Sequence, residues 1–125
     1  MISAEATPLI IDKVKGFVSL LREIAPDWQK AYLRFSEWNS VSETKASYVH
    51  PDGIEIIDVL KHKEFFQSTS RSGEELLAAL GKAEGIFLLV VDSKLDYEIK
   101  FEYQDPDKWR ISKLGGGTGA PEGIE

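Results

Sequence analysis

Cysteine is absent from this chain, so neither a disulfide framework nor a thiolate metal site is open to it. That favours a reducing compartment and a core held by burial alone. Histidine occurs only at positions 50 and 62, with no partner at metal or triad spacing, so both read as surface residues and zinc chemistry is set aside. Charged residues interrupt every apolar stretch well short of the roughly 20 residues a membrane span needs. The start, Met-Ile-Ser-Ala-Glu-Ala-Thr-Pro, lacks the basic and apolar regions of a signal peptide. A cytoplasmic chain without membrane contact is expected. No internal repeat is visible.

What is present suits one folded domain: 125 residues, 42% of them hydrophobic, with a net charge of −6. The charge is unevenly spread. The net is +1 over 1–35, −3 over 36–83, −5 over 84–107 and +1 over 108–125. Such a surface repels phosphate backbones and attracts basic proteins, which argues against nucleic-acid binding.

From Leu9 to Ile24 the apolar residues Ile10, Val14, Phe17, Val18 and Leu21 recur at helical spacing, with Thr7 as N-cap, Pro8 in the first turn and Pro26 ending the helix. Gly16 within it suggests a close approach to a sheet, since glycine there costs roughly 1 kcal/mol against alanine. Alternation predicts strands over Lys30–Trp38, Glu43–Val49 and Ile54–Asp58, the last two joined by the turn His50-Pro51-Asp52-Gly53. Residues 59–71 show no clear pattern, and Phe65-Phe66 suits either a short helix or a plug over the core. Ser72-Gly73-Glu74-Glu75 has capping-box spacing, which predicts a second helix from there to about Gly81. The apolar run Ile86–Val91 reads as an interior strand.

Tyr97-Glu-Ile-Lys-Phe-Glu-Tyr103 alternates strictly, so Glu98, Lys100 and Glu102 share one face of a strand and the aromatic residues the other. Trp109–Ile111 has the makings of a short last strand. Residues 115–125, rich in glycine, are expected as a flexible tail behind a domain of 1–114. The predicted class is α+β: a mainly antiparallel sheet of five or six strands with two helices on one face and the other face wet.

Few residues suggest chemistry. Asp92, Asp96 and Glu98 lack the ligand number and glycine of a calcium loop and read as a solvated turn. Gly115–Gly119 lacks the lysine and following helix of a phosphate loop. Glu98 and Glu102 stand about 13 Å apart on one strand, too far for a glycosidase pair. An enzyme, a cofactor and a metal are therefore not expected. Trp28, Tyr32, Phe35, Tyr48, Phe87, Phe101 and Tyr103 fit core positions. Trp38 and Trp109 lie at strand ends, where the core or its rim competes with a half-exposed anchor for a partner.

The amphipathic first helix, the Trp28-x-x-x-Tyr32-Leu33 entry into the sheet and the strand end Phe101-x-Tyr103-x-Asp105 together resemble the YezG-like immunity proteins over Leu9 to Arg110. Those are small cytoplasmic antitoxins of bacterial polymorphic and contact-dependent toxin systems. The resemblance implies a non-enzymatic inhibitor that binds a cognate protein toxin, of the basic nuclease kind, and is a monomer or weak dimer when free. The residues expected to dock are Glu98, Glu102, Asp105, Asp107 and Trp109, then Asp52 and Glu55. The alternative is a small regulatory or adaptor domain that binds a peptide or small ligand and has no toxin partner.

Overall fold

The computed structural model describes residues 6–124. Its elements run α1 (Ala6–Ile24), β1 (Lys30–Trp38), β2 (Val41–His50), β3 (Gly53–Ile56), a 3-10 turn (Val59–Lys61), α2 (Lys63–Ala79), β4 (Gly85–Asp92) and β5 (Tyr97–Glu102). The five strands form one sheet in the order β3-β2-β1-β4-β5, and every neighbouring pair is antiparallel. This is the α+β class with five strands and two helices.

Both helices cover one face. Ala31, Leu33 and Phe35 of β1 and Phe87, Leu89 and Val91 of β4 alternate toward it and meet Phe17 and Leu21 of α1 and Leu76 and Leu77 of α2. The Asn39-Ser40 hairpin has φ of 52° and 62° at its two residues, the twist that joins adjacent antiparallel strands tightly.

The second helix begins ten residues earlier than the Ser72 signal suggests. Phe66, Thr69, Gly73, Leu76 and Leu77 are its buried residues, and their three- and four-residue spacing places Ser72 in mid-helix. Phe65 and Phe66 thus lie on a helix, with Phe66 in the core. Gly73 is required there, since a Cβ would come within 2.7 Å of the Phe35 ring. Gly16, by contrast, has nothing within 4 Å of a Cβ, so the close approach expected of it belongs to Gly73 instead.

The opposite face is not left wet. Tyr32, Ile86 and Leu88 project from it and are covered by Trp109 and Ile111, with Trp38, Val49, Val90, Ala120 and Ile124 packed around them. Residues 109–111 cross this face without forming a sixth strand. Gly119 and Pro121 are buried, so the glycine-rich segment is laid over the sheet through 124, where a free tail was expected; residue 125 lies outside the described residues. The apolar residues of the segment are few, but each falls on the patch the strands leave uncovered. Among the described residues no helix is long and apolar enough to cross a membrane.

Candidate functional site

The seven expected docking residues do not form one surface. Glu98 and Glu102 do share a sheet face, since they stand opposite Val90 and Ile86. Glu55 stands opposite Tyr48 and so faces the helices. Together with Asp52, in the β2–β3 hairpin, it sits at the far edge of the sheet, four strand spacings or about 19 Å from β5.

The residues along β5 are also locally neutralised. Glu98 pairs with Lys100 at 3.4 Å, Glu102 with Lys108 at 3.7 Å, and Asp107 with Arg110. Glu55 lies 3.6 Å from His50. From Tyr97 to Arg110 four carboxylates meet three cations. Trp109, weighed as a half-exposed anchor, is only 8% exposed and belongs to the packing of the second face.

The turn after β5 is nevertheless rigid. Glu102 accepts the backbone N–H groups of Gln104 and Asp105, both at 3.0 Å. Those bonds first, and Lys108 after them, hold the Glu102 carboxyl below the ordinary glutamate range. Asp105 accepts the N–H of Asp107 at 2.9 Å. Arg34, buried on β1, donates from Nε to the Lys108 carbonyl (2.9 Å) and from an Nη to the Pro106 carbonyl (3.0 Å). Its other Nη lies 3.8 Å from Glu43. One strand side chain therefore pins a turn more than 70 residues downstream.

Three carboxylates form the locus that sequence reasoning missed. Glu37, near the end of β1, points to the helix face and meets Glu74 of α2, with Glu84 at the entry to β4 beside it. Glu37 is 8% exposed, and its Oε1 is buried without a hydrogen-bond partner. Glu74 and Glu84 are exposed. Among the described residues none of the three makes an ion pair; Glu84 accepts only the N–H of Asn39, at 2.8 Å. Loss of water, then the repulsion of Glu74 and a side-chain hydrogen bond with it, and last the repulsion of Glu84 raise the Glu37 carboxyl above its ordinary range. Among the described residues no three His, Asp or Glu are placed to hold a metal ion. The glutamates come from three elements and 47 positions of chain, and nothing in their local sequence marks them as neighbours.

A second missed group joins the helices. Lys13 of α1 is buried and donates to Ser72 Oγ at 2.6 Å, while that hydroxyl donates to the Thr69 carbonyl at 3.2 Å. Burial lowers Lys13 to about 8, against the pull of Glu75 and Asp12. With its hydroxyl committed to the helix backbone, Ser72 serves as a tie between α1 and α2. The Asp92–Asp96 turn is likewise structural, since Asp92 accepts the N–H groups of Lys94 (2.8 Å) and Asp96 (3.2 Å).

No protein-family model matches this chain, and no curated protein does.

Proposed function

We propose that this chain is a cytoplasmic binding protein without chemistry of its own, an immunity-type inhibitor that docks a basic partner. A toxin effector domain is the partner its sequence resemblance implies. The observation that supports this reading is the carboxylate group Glu37, Glu74 and Glu84, which makes no ion pair among the described residues. Like charges held together raise the free energy of the folded chain, and a partner's lysine or arginine arriving there relieves that repulsion as it binds. The turn from Glu102 to Asp107 leaves the same end of the sheet, because Glu102 lies opposite Ile86 and Glu37 opposite Gly85. It lies on the other face of the sheet, where Arg34 holds it, and Glu102 and Asp107 each bring their own cation, so it stands beside the carboxylate group without joining it. Docking therefore shifts from the β5 face, where it was expected, to this end. Asp52, Glu55 and Trp109 have no part in it.

The test is co-expression with the product of the neighbouring reading frame, read as copurification and as protection of the host from that product. Replacing both Glu74 and Glu84 by lysine should abolish capture and protection while the circular dichroism spectrum stays unchanged. Undiminished capture by this double variant would remove the reading.

A further inference from the structure

The sheet ends on β5 at one side and on β3 at the other, and β3 is too short to cover the whole of β2, so part of the β2 edge is open. Strand β3 pairs only with Ser47–His50 of β2, and beyond it the Ile57 N–H takes the Ala46 carbonyl at 2.9 Å before the chain turns away at Asp58. Ser42 and Thr44 alternate in phase with Ala46, so their backbone N–H and C=O groups point outward, and among the described residues no strand pairs with them there. Val41, at the start of this edge, is 68% exposed, and Ile56, Val59 and Leu60 are exposed alongside. An edge of this kind invites strand pairing unless charge or cover blunts it.

Beside the edge runs a groove of about 650 Å³ between β2 and α2. Val59 and Phe66 supply its apolar wall, and Thr44 Oγ1 and Ser70 Oγ, 2.7 Å apart, tie its two sides together. Lys63 and Arg71, two turns apart on α2, face it, and Lys45 stands on the strand. Among the described residues these three cations make no ion pair. In an acidic protein this is a place where unpaired cations outnumber unpaired acids, since Glu43 is beside Arg34 and only Glu74 remains at the groove's end.

We propose that the open edge of β2 takes an extended, acidic segment of another protein as a sixth strand. Its backbone pairs with Ser42 and Thr44. Every second side chain faces the groove, where apolar ones meet Val59 and Phe66 and carboxylates meet Lys63 and Arg71, while a carboxylate on the other face is in reach of Lys45. The surface differs from the inhibitor reading in selecting the opposite charge, although the two adjoin, since Glu74 lies at the groove's end and Ser42 stands opposite Glu37.

Displayed libraries of short random peptides, selected on the full chain, test this. The expected winners carry apolar residues and Asp or Glu together at every second position, bind saturably as synthetic peptides, and slow hydrogen exchange at the Ser42 and Thr44 amides. Lys63→Glu with Arg71→Glu should weaken them at least about tenfold, and Lys63→Arg with Arg71→Lys should restore binding. Ser42→Pro, which removes an outward N–H and leaves the β1–β2 ladder intact, should abolish it. The proposal is overturned if no peptide is enriched, or if the winners lack acidic residues or bind the charge-reversed variant equally well. It is overturned as well if the free chain dimerises with those same amides already protected, since a second copy would then be the occupant.

Discussion

Along β5 and the turn after it, Glu98, Glu102 and Asp107 each have a cation beside them, whereas among the described residues Glu37, Glu74 and Glu84 make no ion pair, although Lys82 lines the same cleft. The first set follows a strict alternation and is easily read; the second is assembled from β1, α2 and the entry to β4. The difference teaches that a run of acidic sequence is a poor guide to an acidic surface. Residues close in the chain bring their own counter-ions, as Lys100, Lys108 and Arg110 do, while repulsion left unrelieved by the fold arises between residues far apart in sequence. Exposed ion pairs contribute little to stability, so the β5 set is close to silent energetically. The Glu37 set is not, because one of its members is buried with an orphaned oxygen.

Substitutions can break this contrast from either side. The largest effect is expected from Trp109→Ala, which removes the indole from Tyr32, Ile86 and Leu88 and should cost about 3–5 kcal/mol in urea unfolding. It should also release the Glu102–Asp107 turn, seen as faster amide exchange over 104–111. Next comes Arg34→Ala, which leaves the Pro106 and Lys108 carbonyls without their donor and should cost about 2–3 kcal/mol by the same measurement. If either variant unfolds like the parent, the second face is not held as described.

Glu37→Gln works on the other region and should stabilise the chain at pH 7 by about 1 kcal/mol, the scale of one strained buried acceptor. The pH dependence has a definite sign. With its carboxyl raised, folded Glu37 keeps a proton that the unfolded chain has already released, so between the ordinary glutamate pKa and the raised one stability falls as pH rises. The Gln variant should lack that fall, which denaturant midpoints taken across the acidic range would show. The smallest effect belongs to Glu98→Gln. Its exposed pair with Lys100 should be worth less than about 0.5 kcal/mol, within the scatter of surface substitutions.

Much of the fold was legible because its elements carry strong periods. Strand β1 appears over the expected Lys30–Trp38, and α1, β4 and β5 lie within a residue or two of their patterns. The first half of α2 was hidden because Ser68, Thr69, Ser70, Ser72 and Gly73 dilute its apolar stripe and mimic a helix start, although Phe66, Gly73, Leu76 and Leu77 keep the spacing. The cover over the second face was hidden for another reason. Trp109, Ile111, Ala120 and Ile124 have no period at all, and only the shape of the finished sheet gives them a place. The same holds for the site. Glu98 and Glu102 were correctly placed on one face, but the choice between a free carboxylate and a paired one depends on Lys108, and that between a solvated glutamate and a crowded one depends on tertiary neighbours of Glu37.

The most direct measurement of this contrast is a carbonyl-carbon NMR titration of the glutamate side chains in the folded protein. Glu37 is expected to titrate above the ordinary glutamate range and Glu102 below it. A Glu37 midpoint at or below the ordinary value would show that its charge is already satisfied, and the argument for a basic partner at that end of the sheet would lose its foundation.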